Sequence, residues 1–382
     1  MTNPQTSSES TLSNSWLELD TARLRSNIEV LQDASRPAKV VGVVKANAYG
    51  HGAVAVANIL LQSGVERLAV ATVQEGITLR DAGFDVPIFV LAAPLPKFLD
   101  LYRTYNLELT IPSIESAQFV ADSIDAESGG VDCHIKIDTG MGRIGCQPDH
   151  VRDIVAILSS NPGVRIRSLW THLARSTDAD GIYSGEQVDR FVDAVKNLPN
   201  IENIALHVAS SYALNTSRRS ISVWSGDTWT RIGVALYGMM DQRGLEDTLD
   251  LEPVLRWTSE LVQIKRVAQG SPISYGGRWV AQRPSLIGTV SVGYADGYSR
   301  QMENRAEVGI RGERFPVVGA ICMDMIMVDL GSLEDQQRFN IGDEVVLMGR
   351  GGPSVFELAD WAKTISYEIT TSITARVGRT VI

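Results

Sequence analysis

The stretch VVGVVKANAYGHGAVAVANILLQSG, Val40 to Gly64, decides how the rest of the chain is read. It opens with an unbroken apolar run, Val40–Val44, of the length and β-branched content of a buried strand. It closes with a helix-period segment, Ala53–Gln62, stopped at Gly64. Between the two stands Lys45, at the point where the apolar run ends. Half inside a core, the charged form of an amine is disfavoured, so its pKa falls and free amine is present near neutrality. A free amine that meets a carbonyl group forms a Schiff base. Tyr49 and the glycines at 50 and 52 can bring a hydroxyl and bare backbone close to an anion. The segment predicts a β–α unit with a reactive lysine in its turn.

The alternation continues. Apolar runs at Leu68–Thr72, Ile88–Leu91, Leu107–Ile111, His134–Asp138, Ser168–His172, Ile204–Ala209 and Gly233–Leu236 predict further strands. Helical segments between them include Ser113–Ile124, Val151–Leu158 and Gly185–Leu198. Repeated β–α units imply a parallel sheet, and eight over roughly 200 residues point to a closed (β/α)8 barrel of the TIM type. An open doubly wound sheet is the alternative, but no GxGxxG follows the first strand. Barrel chemistry gathers at the C-terminal strand ends. At or near those ends lie Lys45; Lys136, Asp138 and Arg143; His172; His207, Ser210 and Ser211; Arg231 and Gly233.

After about Asp250 the pattern changes to short β-type runs between Gly, Pro and Asp turns: Val262–Val267, Leu286–Val292, Phe315–Val318, Ile326–Leu330 and Glu344–Met348. These predict a C-terminal all-β domain. The expected division is a tail at 1–15, a barrel at 16–250 and a β domain at 251–382. The early strand Trp16–Leu19 is a candidate to pair with the β domain. A net charge of -10 and the lack of a long basic run argue against nucleic acid or an anionic membrane as partner. No stretch approaches the roughly 20 apolar residues of a membrane helix. Three cysteines, Cys133, Cys146 and Cys322, form no CxxC, so neither a disulfide framework nor a metal site is implied. The polar N-terminus has no apolar core of a secretion signal, so a cytoplasmic location is expected.

Eight motifs then occur in order across both domains: VVKANAYGHG (from Val43), KIDTGMGRIG (from Lys136), WTHLARSTDAD (from Trp170), RIGVALYG (from Arg231), SYG (from Ser274), SVGYADGYSR (from Ser291), ICMD (from Ile321) and TISYE (from Thr364). Together they resemble the bacterial alanine racemases that depend on pyridoxal 5'-phosphate (PLP). The resemblance implies a homodimer with shared active sites that interconverts L- and D-alanine and supplies D-alanine for peptidoglycan. It implies that Lys45 carries PLP covalently and is one base, and that Tyr275 of the partner subunit is the other. Tyr49, Ser211, Gly233, Val234 and Tyr367 would hold the phosphate. Arg231 would face the pyridine nitrogen, buttressed by His207, for which a plain core histidine is the other reading. His172 would help Tyr275 act as a base. Arg143 and the backbone of Met323 would bind the substrate carboxylate. Lys136 would be carbamylated and orient Arg143, or else be a buried salt-bridged lysine. Tyr294 would narrow the entrance.

The sequence departs from the family at Ser210, where asparagine is usual, and at Ala320, where an arginine is common. The second change suggests a broader-specificity amino-acid racemase as an alternative. A non-catalytic PLP-binding protein is a further one, against which the β domain and the SYG motif stand.

Overall fold

The computed structural model describes residues 13–125, 129–178, 180–243 and 248–382. Most of the expected tail and Ala179 of WTHLARSTDAD lie outside them. The chain divides into two compact units. One holds Arg25–Ala48 and Ala53–Leu251; the other joins residues 13–24, Tyr49–Gly52 and Glu252–Ile382.

The first strand in the chain, β1 (Ser15–Leu19), belongs to the second unit. The next eight build the first: β2 (Lys39–Val43), β3 (Arg67–Val70), β4 (Ile88–Val90), β5 (Leu109–Ile111), β6 (Val131–Lys136), β7 (Val164–Trp170), β8 (Ala205–His207) and β9 (Trp229–Ile232). Strands β4-β3-β2-β9 and β5-β6-β7-β8 form two all-parallel sheets. Single parallel bridges, Phe89 to Glu108 and Leu206 to Thr228, join them at both edges and close the ring. This is the (β/α)8 barrel expected. Its strands are buried on both faces, which is why they read as continuous apolar runs.

One strand differs from expectation. Gly233–Leu236 is not the eighth barrel strand: Trp229–Ile232 pairs with β2, and Val234–Tyr237 is a short 3-10 turn. A short buried apolar run has no periodicity to separate strand from helix. The correction puts Arg231 within the strand rather than before it. Other boundaries move by a few residues; the helix expected at Gly185–Leu198, for example, spans Ile182–Val195. Helix starts carry their own signals. Thr72 and Glu75 form a capping box at Val73–Asp81, and Ser113 with Ser116 does the same at Ile114–Ser123.

The second unit is mainly β. Its remaining strands are β10 (Leu255–Val267), β11 (Pro272–Ile273), β12 (Trp279–Val280), β13 (Ser285–Val290), β14 (Glu307–Ile310), β15 (Glu313–Pro316), β16 (Ile326–Gly331), β17 (Glu344–Met348) and β18 (Gly378–Val381). The main sheet runs β15-β14-β17-β10-β1-β18, with β13 on β10 and β16 on β13. Strand β1 lies antiparallel to β10 and parallel to β18. Its inward residues are Ser15, Leu17 and Leu19, and the Trp257 indole donates to Ser15 Oγ at 2.6 Å. Residues 13–15, expected in the tail, are thus held in place. The unit also carries two helices, Val355–Ala362 and Ser366–Thr371, that the strand pattern did not indicate.

Candidate active site

Strand β2 ends at Val43, whose carbonyl accepts from the buried Tyr237 hydroxyl at 3.1 Å. Lys45 follows, and then Ala46, Asn47, Ala48 and Tyr49 all adopt left-handed backbone, with φ of 51°, 52°, 54° and 53°. Each such non-glycine residue costs about 1–2 kcal/mol. Local bonds offset this strain. Ala48 N–H donates to Val44 O, Asn47 Oδ1 accepts from Ala53 N–H at the next helix start, and Ala46 N–H donates to Glu75 Oε1 at 2.7 Å. The other Glu75 oxygen accepts from the Ala71 and Thr72 N–H groups. One carboxylate therefore ties the lysine turn to the loop after β3. Strained backbone held this firmly is a mark of a functional site.

Around Lys45 the barrel gathers cations. Burial lowers the Lys45 pKa, the charge of Arg143 lowers it further, and Glu75 opposes both. Lys136, on β6, is buried and donates to Ile137 O at 2.9 Å. Burial, followed by Arg231, brings its pKa to about 7. It has no carboxylate partner within ion-pair distance among the described residues, so the salt-bridged reading is not what is found. Arg143 is exposed at the end of a loop organised by Asp138, whose carboxylate accepts from Gly140, Met141 and Gly142 N–H. Gly140 and Gly142 have φ of 137° and 69°, so the TGMG run needs its glycines.

Arg231 is a buried cation with five side-chain hydrogen bonds. NH1 donates to His207 O at 2.9 Å and to His207 Nδ1 at 3.1 Å. NH2 donates to Thr171 O at 2.6 Å, Val208 O at 3.1 Å and His172 Nδ1 at 3.3 Å. Burial, then the charge of Arg143, brings its pKa to about 9, so it stays charged near neutrality. His172 and His207 are held neutral, first by burial and then by Arg231. At the end of β9 the Ser211 hydroxyl accepts from Gly233 N–H at 3.1 Å and Ala235 N–H at 3.3 Å, gathering donors at one point. Glu75 and Asp138 are the carboxylates felt by these lysines, and both are occupied by backbone N–H groups. Such a donor-rich, cationic cluster suits an anionic ligand with a phosphate. No group of His, Cys, Asp or Glu that could hold a metal occurs among the described residues.

The remaining expected residues lie in the second unit, in two places. Tyr49 and Tyr367 form an edge-on ring pair with centroids 6.4 Å apart. Burial, then Tyr367, raises the Tyr49 pKa, so its hydroxyl is a donor. Gly50 has φ +87°, and a Cβ there would stand 2.2 Å from Thr370 O. Tyr275, Tyr294 and Met323 share the other place, which is built from three distant motifs. Ser274 Oγ donates to Ala320 O at 2.7 Å, Tyr294 N–H to Cys322 O at 3.0 Å and Ala295 N–H to Met323 O at 3.0 Å. Tyr275 is 76% exposed and Met323 52%.

The two halves of the chain match two family profiles, described as "Alanine racemase, N-terminal domain" over residues 19–241 and "Alanine racemase, C-terminal domain" over residues 254–381. The chain belongs to the alanine racemase family. Among its relatives, the alanine racemase of Halothermothrix orenii is 38% identical over 95% of this chain and 96% of its own length. That of Clostridium novyi is 35% identical over 95% and 94%. Solved structures agree. Alanine racemase from E. faecalis superposes with a TM-score of 0.89 at 30% identity, covering 97% of this chain and 98% of that one. That of Clostridium difficile 630 does so at 0.89 and 33%, covering 97% and 96%.

In this alanine racemase family member some site residues escape the motif pattern. Glu75 left a signal, the T-x-x-E capping box, but nothing linked it to the lysine turn. Gln187, on the helix Ile182–Val195, donates to Thr139 Oγ1 and His172 O and accepts from Ala174 N–H, holding two site loops. Glu108, His134 and Ser168 are polar residues at buried barrel-strand positions. Their oddity in apolar runs was the signal available.

Proposed function

We propose that this protein interconverts L- and D-alanine with PLP as cofactor, acting in the cytoplasm as a homodimer and supplying D-alanine for peptidoglycan. The observation that carries this is the Lys45 amine, lowered in pKa at a barrel strand end, within one cationic cluster that includes the buried Arg231. When bound, PLP supplies an aldehyde for that amine and a conjugated ring that withdraws electrons from the substrate Cα.

The protein's own groups do the rest. Ser211, with the N–H groups of Gly233 and Val234 and the hydroxyls of Tyr49 and Tyr367, would hold the phosphate. Arg231 would face the pyridine nitrogen as a cation that does not readily give up its proton, and so would supply none to it. Arg143 and the Met323 N–H of the partner subunit orient the substrate carboxylate. Lys136, near pH 7 a partly neutral amine, is able to take up carbon dioxide as a carbamate, whose negative charge would orient Arg143.

Racemisation needs a proton taken from one face of Cα and delivered to the other. Lys45 serves one face and Tyr275 of the partner subunit the other. A phenol ordinarily titrates near pH 10, so it needs a donor to stabilise its anion. Arg231 donates to His172 Nδ1, which leaves the His172 proton on Nε2 and available for that purpose. Tyr294 restricts access.

The test follows alanine Cα–H exchange in D2O and racemisation over a panel of amino acids. Wild type should exchange and racemise alanine, Lys45→Ala should do neither, and Tyr275→Phe should lose racemisation. PLP-loaded wild type that exchanges no alanine proton would sink the proposal. Comparable kcat/KM on lysine, arginine or serine would favour the broader racemase that Ala320 suggests.

A further inference from the structure

A chain of buried hydrogen bonds crosses the barrel interior beneath Arg231. His207, which accepts from Arg231 at Nδ1, lies with Nε2 2.6 Å from Ser168 Oγ. Ser168 Oγ lies 2.7 Å from His134 Nδ1, and His134 Nε2 lies 3.0 Å from Glu108 Oε2. Arg67, the first residue of β3, donates to the same Glu108 oxygen. His134, Ser168 and His207 are wholly buried, and Glu108 nearly so. The imidazoles are packed by rings: Phe89 lies 4.0 Å from His134, and Trp170 stacks on His207 at 5.8 Å.

The two ends fix the direction of every bond between them. A guanidinium only donates and a carboxylate only accepts. Glu108 is ionised: burial raises its carboxyl, but the hydrogen bond from His134 and the charge and hydrogen bond of Arg67 outweigh this and hold it below the usual carboxylate range. His134 then carries its proton on Nε2 and takes the Ser168 hydroxyl proton at Nδ1. Ser168 in turn accepts from His207 Nε2–H, and His207 Nδ1 is left bare toward Arg231. In the opposite polarity His207 would turn an N–H on the Arg231 N–H, two donors face to face in a buried site.

We infer that Glu108 is a positioning residue for Arg231: through His134, Ser168 and His207 its carboxylate sets the His207 tautomer, so that Arg231 meets a bare nitrogen. The role rests on the reading of Arg231 given above, because Arg231 is the group that would face the ring. Removing the acceptor at 108 frees Arg67 to donate to His134 Nε2 instead. Every proton in the chain then shifts, and His207 presents Nδ1–H to Arg231. Glutamine at 108 has one oxygen with two lone pairs, which can take both donors that Oε2 takes now, so it preserves the polarity.

The experiment compares wild type, Glu108→Gln, Glu108→Leu, Ser168→Ala and the Glu108→Leu/Ser168→Ala double variant, each as the PLP-loaded enzyme. The chain has five histidines, so 15N-histidine NMR can report the tautomer of each. His207 should carry its proton on Nε2 in wild type and Glu108→Gln, and on Nδ1 in Glu108→Leu. Racemase kcat should fall by about 10- to 100-fold in Glu108→Leu, with little change in KM, and by less than about threefold in Glu108→Gln. In the Ser168→Ala background, where the chain is cut, Glu108→Leu should cost almost nothing more. A purely structural carboxylate predicts the reverse: an unmoved tautomer and losses that multiply. Either result overturns the inference. If Glu108→Leu does not fold, the Ser168→Ala spectrum still decides: a His207 that keeps its single Nε2–H tautomer with the chain cut takes it from Arg231 alone, which overturns the inference. The NMR arm needs no turnover, so a protein that racemises nothing would sink the proposed function and leave this inference to be judged on its own.

Discussion

Replacing Arg231 by lysine keeps the charge and removes the fork. The Arg231 guanidinium serves five acceptor atoms: the carbonyls of Thr171, His207 and Val208 and one nitrogen each of His172 and His207. A lysine ammonium has three N–H groups on one atom, and the His207 carbonyl keeps the Thr171 N–H, so at least one of the other four acceptors loses its donor. Each buried group left unmade costs about 1–3 kcal/mol, which gives a destabilisation of at least about 1–3 kcal/mol. That is a sizeable part of the about 5–15 kcal/mol by which a domain is ordinarily stable. A second effect follows from the same burial. A site that brings a guanidinium to about 9 would draw an ammonium, which starts lower, close to neutrality. Arg231→Lys should therefore lose its positive charge as pH rises through neutrality, and its kcat should fall there where wild type shows no such limb from this residue. Urea unfolding measures the first effect and a pH–kcat profile the second. A stability loss under about 1 kcal/mol with an unchanged urea dependence would refute the view that Arg231 organises the strand ends by its fork.

Three further outcomes follow from the geometry. Lys136 has its pKa lowered from 10.5 to about 7 in the folded chain. Its contribution to stability is therefore fully present above about 10.5 and lost as pH falls through 7; Lys136→Met, unfolded by urea in carbon dioxide-free buffer, should gain on wild type across that fall. Ala46 is exposed with φ 51°, so Ala46→Gly should stabilise the chain by about 1 kcal/mol, opposite in sign to the same change in a right-handed helix, as thermal unfolding will show. Gly50→Ala should cost at least about 2 kcal/mol in the same assay, because a backbone oxygen 2.2 Å from the new carbon has no rotamer by which to retreat.

Much of the barrel was legible because its strands are buried on both faces and its helices carry capping signals. The run Gly233–Leu236 misled for the same reason: it is equally apolar and equally buried, but as a turn. The left-handed turn after Lys45 was not legible at all. Lys-Ala-Asn-Ala has ordinary helix formers, and bonds to Glu75, Val44 and Ala53 help hold it in the strained region. The two helices of the second unit were hidden by the Gly- and Pro-rich context around them.

The sequence by itself determined the repeating β–α pattern, the family, and which side chains carry the chemistry, because residue types and their order are written in it. Tertiary structure alone decided how those side chains behave. Burial is what lowers the amines of Lys45 and Lys136 and holds His172 and His207 neutral, and burial is a property of packing. The line from Glu108 to Arg231 joins residues of five strands or strand starts that only the closed ring brings within hydrogen-bond reach. A hydrogen bond depends on tenths of an ångström, and no spacing along a chain records that.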